Sequence, residues 1–439
     1  MEKVKIGVLG AYRGTSMINY CKRADNAEVV AICDKSADAL DMQKQKAAEE
    51  GWNIAFYDNF EEFIKHDMDA VILANYANEH APFAIKAMKL GKHVFSEVLP
   101  VQTMKEAVEL VEAVEETGMI YAYGENYCYM PVPYEMKKLY AENKIGELEY
   151  AECEYIHNCE SIWPSITYGE EGHWRNNMMS TFYCTHSLGP IIHSTGLRPV
   201  SVIGLEGTKT ERNLRTGSKS GQFGIEMVTL ENGAIVKSIH GGLYRGSYWY
   251  SMYGSKGVME GVREGAQGVM EERPIEPKIF ISVDEFAGGY GTGKVELYAP
   301  KHGMEDKVEG FGHGGSDFWS MYHFVEKIKG NPEADIIDVY EALDMALPGL
   351  FAYRSILEGG VSKEIPNLRN KSIRDFWRKD TACTDPKVAG DMLQPTFSKG
   401  TPKISEQVYD HMKQLWQQEC EKKEGGYRNM AFNQSGKQK

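Results

Sequence analysis

Up to residue 126 the chain alternates short apolar runs with longer amphipathic stretches. The runs Lys5–Leu9, Glu28–Cys33, Ile54–Tyr57, Ala70–Ala74, His93–Ser96 and Ile120–Tyr123 read as strands. Between them the spacing predicts helices over Ser16–Arg23, Ala37–Gly51, Phe60–His66, Ala81–Leu90 and Met104–Thr117. Strands and helices taking turns in this way predict a doubly wound parallel sheet of the α/β class. From about Tyr129 the alternation stops. Leu148–His157, Val200–Leu205, Gln222–Leu230, Ala234–His240, Ser247–Tyr253, Lys278–Val283 and Lys294–Tyr298 are β-rich, and Asn232-Gly233 marks a hairpin. They predict an α+β second domain built on a large, mainly antiparallel sheet. Helices over Ser316–Lys329 and Asp338–Glu358 are expected to pack it against the first. A last helix at Ser405–Lys422 leads into a polar, disordered end, Gly425–Lys439, to which no chemistry is assigned. The expected domains are 1–126, 127–368 and a helical extension, 369–439.

Composition narrows the partners. The chain has 439 residues, 42% hydrophobic and 26% charged, with a formal net charge of -14. That charge repels phosphate backbones and anionic membranes, so a small molecule is expected and a nucleic acid or membrane is not. No apolar stretch approaches the ~20 residues of a membrane helix. The start, MEKVKIGVLG, reads as a strand rather than a secretion signal, and a cytoplasmic location is expected. The eight cysteines are scattered without a CxxC pair and are read as reduced.

The first run leads into Gly10-Ala11-Tyr12-Arg13-Gly14, after which a helix begins. Strand, glycine turn and helix aim backbone N–H groups at a pyrophosphate. Tyr12 stands where the usual pattern has its second glycine, and Gly14 comes one position early. Asp34 ends the second strand, where an acid accepts from a ribose hydroxyl; this favours NAD over NADP, with Lys35 leaving NADP open. Other residues at the carboxyl ends of strands, where ligands sit, include Asn75, His80, Glu97 and Asn126. Farther on, Trp174–Pro190 sets Tyr183 and His186 three apart, on one face if helical, with Arg175 nearby. An imidazole suits removal of a hydroxyl proton during nicotinamide chemistry, which makes His186 the candidate base. His173, His186, His193 and His313 show no metal-ligand spacing, so no metal is assigned.

KIGVLGAYRG, Asp34, DAVILANYANEHAPFAIKAMKLGKHVFSE and YGSKG resemble the Gfo/Idh/MocA oxidoreductases over residues 3 to 368, which implies a Rossmann first domain holding NAD. That family usually reads Glu-Lys-Pro after the fifth strand and uses the lysine to polarise the reacting oxygen. Here Glu97 is followed by Val98-Leu99-Pro100, and the family's Asp-x-Gly-x-His becomes Phe182–His186. Both departures are similar to the NAD-dependent alpha-N-acetylgalactosaminidases and other redox glycosidases. So are Glu125–Tyr129, Tyr155–His157, Trp174-Arg175, Tyr183–Pro190 and Gly312–Phe318.

The resemblance implies a glycoside substrate, transient oxidation at C3, loss of the C2 proton, elimination of the C1 substituent, addition of water and re-reduction. Tyr183 and His186 would share the proton transfers. Glu97, Tyr129 and His157 would lie near the sugar, with Trp174, Arg175 and His313 binding it. Gly10, Tyr12, Arg13, Gly14, Asp34, Asn75, His80, Glu97 and Asn126 would hold the cofactor, and the large sheet would form a homo-oligomer contact. The alternatives are a sugar or polyol dehydrogenase or glycoside 3-oxidase releasing a keto-sugar, and a nucleotide-binding sensor.

Overall fold

The computed structural model describes residues 2–244, 246–262, 277–284 and 293–422. In the first third, β1 (Val4–Leu9), α1 (Thr15–Arg23), β2 (Ala27–Cys33), α2 (Ala37–Glu50), β3 (Ala55–Tyr57), α3 (Phe60–Phe63), β4 (Ala70–Leu73), α4 (His80–Lys89), β5 (His93–Ser96), α5 (Met104–Thr117) and β6 (Tyr121–Tyr123) alternate as expected. The six strands pair in parallel in the order β3-β2-β1-β4-β5-β6. Ile6, Val8, Val71, Ile72 and Val94 are fully buried, because helices cover both faces of such a sheet. Local signals set the helix ends. Thr103 and Glu106 form a reciprocal capping box at α5, satisfying two of its free N–H groups.

The second part begins with α6 (Pro131–Ala141), β7 (Leu148–Ile156), α7 (Trp163–Thr167), α8 (Trp174–Asn177) and α9 (Thr185–Thr195). It continues with β8 (Pro199–Glu206), α10 (Glu211–Thr216), β9 (Phe223–Leu230), β10 (Ile235–Gly241), β11 (Ser247–Gly254), β12 (Gly257–Gly261), β13 (Ile279–Val283) and β14 (Lys294–Tyr298). After α11 (Glu305–Val308), α12 (Ser316–Ile328), α13 (Val339–Leu357) and β15 (Lys363–Glu364) come α14 (Lys371–Trp377), α15 (Pro386–Ala389) and α16 (Glu406–Lys422). Among the described residues the second sheet has nine strands, β14-β13-β12-β11-β7-β10-β9-β8-β15, antiparallel except where β10 runs beside β7. β9 and β10 form the Asn232-Gly233 hairpin. The strands β12 and β15 escaped the sequence reading, and α3 stops at Phe63 rather than His66. The end expected to be disordered, Gly425–Lys439, lies outside the described residues.

The two expected bracing helices dock on the first sheet. Phe324 of α12 meets Phe95 of β5 at a ring distance of 5.6 Å, Tyr20 of α1 meets Phe318 at 5.4 Å, and Tyr123 N–H donates to the Ile337 carbonyl just before α13 at 2.8 Å. α14 adds a clamp: buried Arg374 makes a two-pronged contact with Glu115 of α5, at 2.8 and 2.6 Å. The opposite face of the second sheet is exposed in part: Glu154, Trp249 and Ser251 are buried on it, while apolar residues toward its edges are not. Strand register puts Ile203, Leu205, Ile235, Tyr253, Val295 and Leu297 on that one face, all exposed.

Phe324 is fully buried at the junction of α12 and the first sheet. Phe324→Ala is expected to cost about 3–5 kcal/mol of unfolding free energy, through lost burial and the cavity left behind. Urea unfolding followed by circular dichroism measures it, and a cost under about 1 kcal/mol would show that this contact does not hold the junction.

Candidate functional site

A cleft of about 1220 Å³ opens beyond the carboxyl ends of the first sheet and is walled on its far side by β7, β10, α8, the start of α9 and α16. The first-sheet wall is built from the strand ends. Gly10 has φ +98°, and a Cβ there would stand 2.4 Å from the Ala74 backbone, so no side chain fits. Asp34 pins the turn: its Oδ2 accepts from Ala11 N–H at 2.8 Å and its Oδ1 from Ser36 N–H at 2.8 Å. Asn75, at the end of β4, lines the cleft with a side-chain amide whose nitrogen and oxygen are both buried without a partner. A buried amide in that state asks for a ligand. Glycine turn, strand-end carboxylate and orphaned amide together fit a dinucleotide. Tyr12 lines the cleft as well, and burial, with Tyr168 and Glu419 nearby, holds its phenol protonated.

Two residues expected to hold the cofactor are withdrawn from this wall. His80 is buried behind it, with Nδ1 on the Leu99 carbonyl at 2.9 Å and Nε2 on the Asn75 carbonyl at 3.3 Å, where it clamps the ends of β4 and β5. Gly14 is a packing glycine, since a Cβ would stand 2.5 Å from the Gly10 carbonyl oxygen.

Where the halves meet, Arg13 reaches Glu97 at 2.7 Å and Asp317 of α12 at 3.3 Å. Asn126 donates to Asp317 at 2.9 Å, and His313 Nδ1 lies 3.1 Å from the same oxygen. Burial raises the Glu97 pKa against the pull of Arg13. Burial would also raise that of Asp317, but Arg13 and His313 outweigh it and hold the carboxyl well below its usual range.

At the other end, His186 Nδ1 lies 2.6 Å from the Glu125 carboxylate, which is fully buried. The Tyr250 hydroxyl fixes the backbone by donating to the His186 carbonyl at 2.6 Å. Rings of Tyr127, Tyr155 and Tyr183 stand 4.5, 4.6 and 5.6 Å from the imidazole. Tyr183 precedes α9 rather than sharing a helical face with His186, yet the two come together. Arg175 lies 4.5 Å over the Trp174 ring and 5.5 Å over that of Tyr183. Among the described residues no carboxylate comes within 4 Å of it. Burial raises the Tyr183 pKa, and Arg175 only partly offsets this. His157 bonds Tyr155 at 2.8 Å and is pushed down to about 4 by burial, with His186, Arg175 and His313 adding to the effect.

Tyr129 is the third misplaced residue. Its hydroxyl donates to the Asp335 carbonyl at 2.7 Å and its ring stacks on His323, out of the cleft; Tyr127, two residues earlier, lines it instead. Both stand in the same short turn, Asn126–Tyr129, whose phase the sequence did not reveal. Glu125 and Asp317 fell inside quoted motifs but were given no role. Trp416, Glu419 and Cys420 of α16 also line the cleft, on a helix for which the sequence carried no functional signal.

Comparison with known proteins agrees with this two-part build. Residues 4–125 match the family model described as "Oxidoreductase family, NAD-binding Rossmann fold", and residues 203–374 match "Glycosyl hydrolase 109, C-terminal domain". A glycosyl hydrolase family 109 protein of Solibacter usitatus is 26% identical over 402 residues, covering 83% of this chain and 88% of the relative. Another, from Phocaeicola vulgatus, is 30% identical over 390 residues, covering 78% and 73%. Among solved structures, myo-inositol 2-dehydrogenase from Lactobacillus plantarum shares the fold with a TM-score of 0.63 at 18% identity, covering 83% of this chain and 100% of that one.

The low pKa of His157 can be checked directly. A free imidazole titrates near 6.5 and the folded one near 4, so unfolding takes up a proton between those values. The stability that depends on a neutral His157 is complete above about pH 6.5 and is lost as pH falls toward 4. Nitrogen NMR of labelled histidine should find this ring neutral at pH 5.5; a midpoint at or above 6 would refute the assigned environment.

Proposed function

The chain belongs to glycosyl hydrolase family 109, and from that premise we propose that it cleaves a sugar glycoside with His186 and Tyr183 carrying the protons and NAD as the resident cofactor. The observation that carries the reading is the His186–Glu125 contact on the wall of a cleft opened by an NAD-binding half. Gly10, Tyr12, Asp34 and Asn75 would hold NAD, which would supply reversible two-electron oxidation at sugar C3 and so make the C2 proton acidic enough to remove.

With Nδ1–H committed to Glu125, Nε2 is the nitrogen His186 has left for the substrate, and the carboxylate stabilises the imidazolium formed when it takes a proton. His186 accordingly serves as the base at the C3 hydroxyl and, once that proton has passed to water, at C2. Tyr183 is suited to the opposite task. Burial holds its proton at neutral pH, so it donates to the departing C1 oxygen. Arg175, stacked on Trp174 and hydrogen-bonded to Tyr183, carries a positive charge with no carboxylate partner among the described residues and is suited to the sugar's oxygens. Neutral His157 accepts from or donates to hydroxyls without competing for the proton. Arg13 is committed to Glu97 and Asp317 and shapes the site rather than gripping the ligand.

The exposed apolar pairs on one face of the second sheet, Ile203 and Leu205 on β8 and Val295 and Leu297 on β14, support self-association through the sheet. Sedimentation of the purified chain should give a multiple of its mass. Replacing Leu205 and Leu297 by Asp should shift it toward the monomer, and an unshifted mass would reject this face.

For the reaction, purified protein given a panel of aryl glycosides and no added NAD should release aglycone, with solvent deuterium entering at C2. Stoichiometric NADH without aglycone would mean a dehydrogenase instead. His186→Ala should lower kcat/KM by at least ~100-fold, and near-normal turnover would take His186 out of the mechanism.

A further inference from the structure

The family matches end at residue 374, so α16 lies beyond both. It is nonetheless firmly docked. Tyr409 and Met412 are buried, and the Tyr409 hydroxyl donates to the Gly217 carbonyl at 3.0 Å. Gly169 sits so close that a Cβ on it would stand 2.3 Å from the Lys413 backbone nitrogen. The Ser165 hydroxyl donates to Glu419 at 2.5 Å, latching α16 to α7. Through this docking Trp416, Glu419 and Cys420 become part of the cleft wall.

A row of rings runs from the helix across the cleft. Trp416 meets Tyr168 at 5.4 Å, Tyr168 meets His173 at 5.9 Å, and His173 meets Tyr76 at 4.9 Å. Tyr76 carries the Lys35 ammonium 4.2 Å over its face, beside Asp34 on the nucleotide rim of the first sheet. From His173 the row also branches to Trp174 at 5.9 Å, on to Tyr183 at 6.3 Å and to His186 at 5.6 Å. One roof of aromatic side chains thus spans the dinucleotide rim and the proton-carrying pair, and α16 is its outer support.

We propose that α16 is a working part of the cofactor site: Trp416, latched by Glu419 and Ser165, holds the Tyr168–His173 roof over bound NAD so that the nucleotide stays in place between turnovers. The proposal rests on the NAD-recycling reading above. A cofactor restored to its starting oxidation state in each cycle has no need to leave, and a covered site slows its escape. Trp416 and Glu419 are positioning residues in this account, since they act through Tyr168 and His173.

The test uses the full chain loaded with NAD and chased with excess etheno-NAD, whose fluorescence reports exchange. Trp416→Ala should speed NAD release at least tenfold, while Trp416→Phe, which keeps a ring, and Gln417→Ala, on the exposed side of α16, should stay near wild type. The unfolding midpoint of the nucleotide-free Trp416→Ala chain should lie close to wild type, because the roof is a local element. Equal release rates in wild type and Trp416→Ala overturn the proposal and leave the glycosidase reading standing. So does faster release matched by a collapsed midpoint together with the same behaviour in Trp416→Phe. A wild-type chain that binds no NAD overturns both readings, whereas NAD retained as described with no glycoside cleaved counts against the reaction alone.

Discussion

Glu97 and Asp317 are carboxylates almost sealed from water, and a single guanidinium, Arg13, answers both. Glu97 comes from the end of a parallel strand and Asp317 from the first turn of a helix some 220 residues later in the chain, roughly the span of one large domain. Taking such charges out of water costs several kcal/mol each unless the counter-charge is well placed. The two halves are therefore held at one separation, the one at which Arg13 can reach both. Cleft width, the approach of His313 and the anchoring of Asn126 all follow from that distance.

The same cluster occupies the groups on the first-sheet wall. Glu97 is tied up with Arg13, and the next residue, Val98, has no proton to move. On the far wall the start of α9 brings His186 to a buried carboxylate, and Tyr183, just ahead of the helix, stands beside it. The two groups differ in what surrounds them: the imidazole has a carboxylate to stabilise its charged form, whereas the phenol has mostly desolvation, which favours its neutral form. The proposed division into acid and base rests on that contrast, which residue type and spacing did not reveal.

The fold was legible because strand and helix periods leave different marks. Every strand of the first sheet and the Asn232-Gly233 hairpin lay within a residue or two of their expected places. Gly257–Gly261 escaped because a five-residue segment bounded by glycines has little apolar alternation to detect. Site residues were harder to place, since facing depends on turn phase: one short turn sends Tyr127 into the cleft and Tyr129 to the Asp335 carbonyl. His80 looked like a cofactor neighbour from its position after β4, but both ring nitrogens meet backbone carbonyls. Glu125 needed the tertiary contact with His186 to acquire meaning. The contribution of α16 is wholly tertiary, because its sequence is that of any polar helix and only its docking makes it a wall.

The arrangement around Arg13 also bears on synthesis. Arg13 and Asp317 are separated by 304 positions along the chain. At the ~5–20 residues per second of translation, Arg13 leaves the ribosome about 15–60 s before its partner exists. Glu115 waits in the same way for Arg374, 259 positions later. The first sheet can form early, but its docking face, with Phe95 and the Arg13–Glu97 pair, stays uncovered until α12 arrives. A nascent chain halted before residue 317 therefore leaves uncovered an apolar surface, centred on Phe95, that the finished molecule buries under α12.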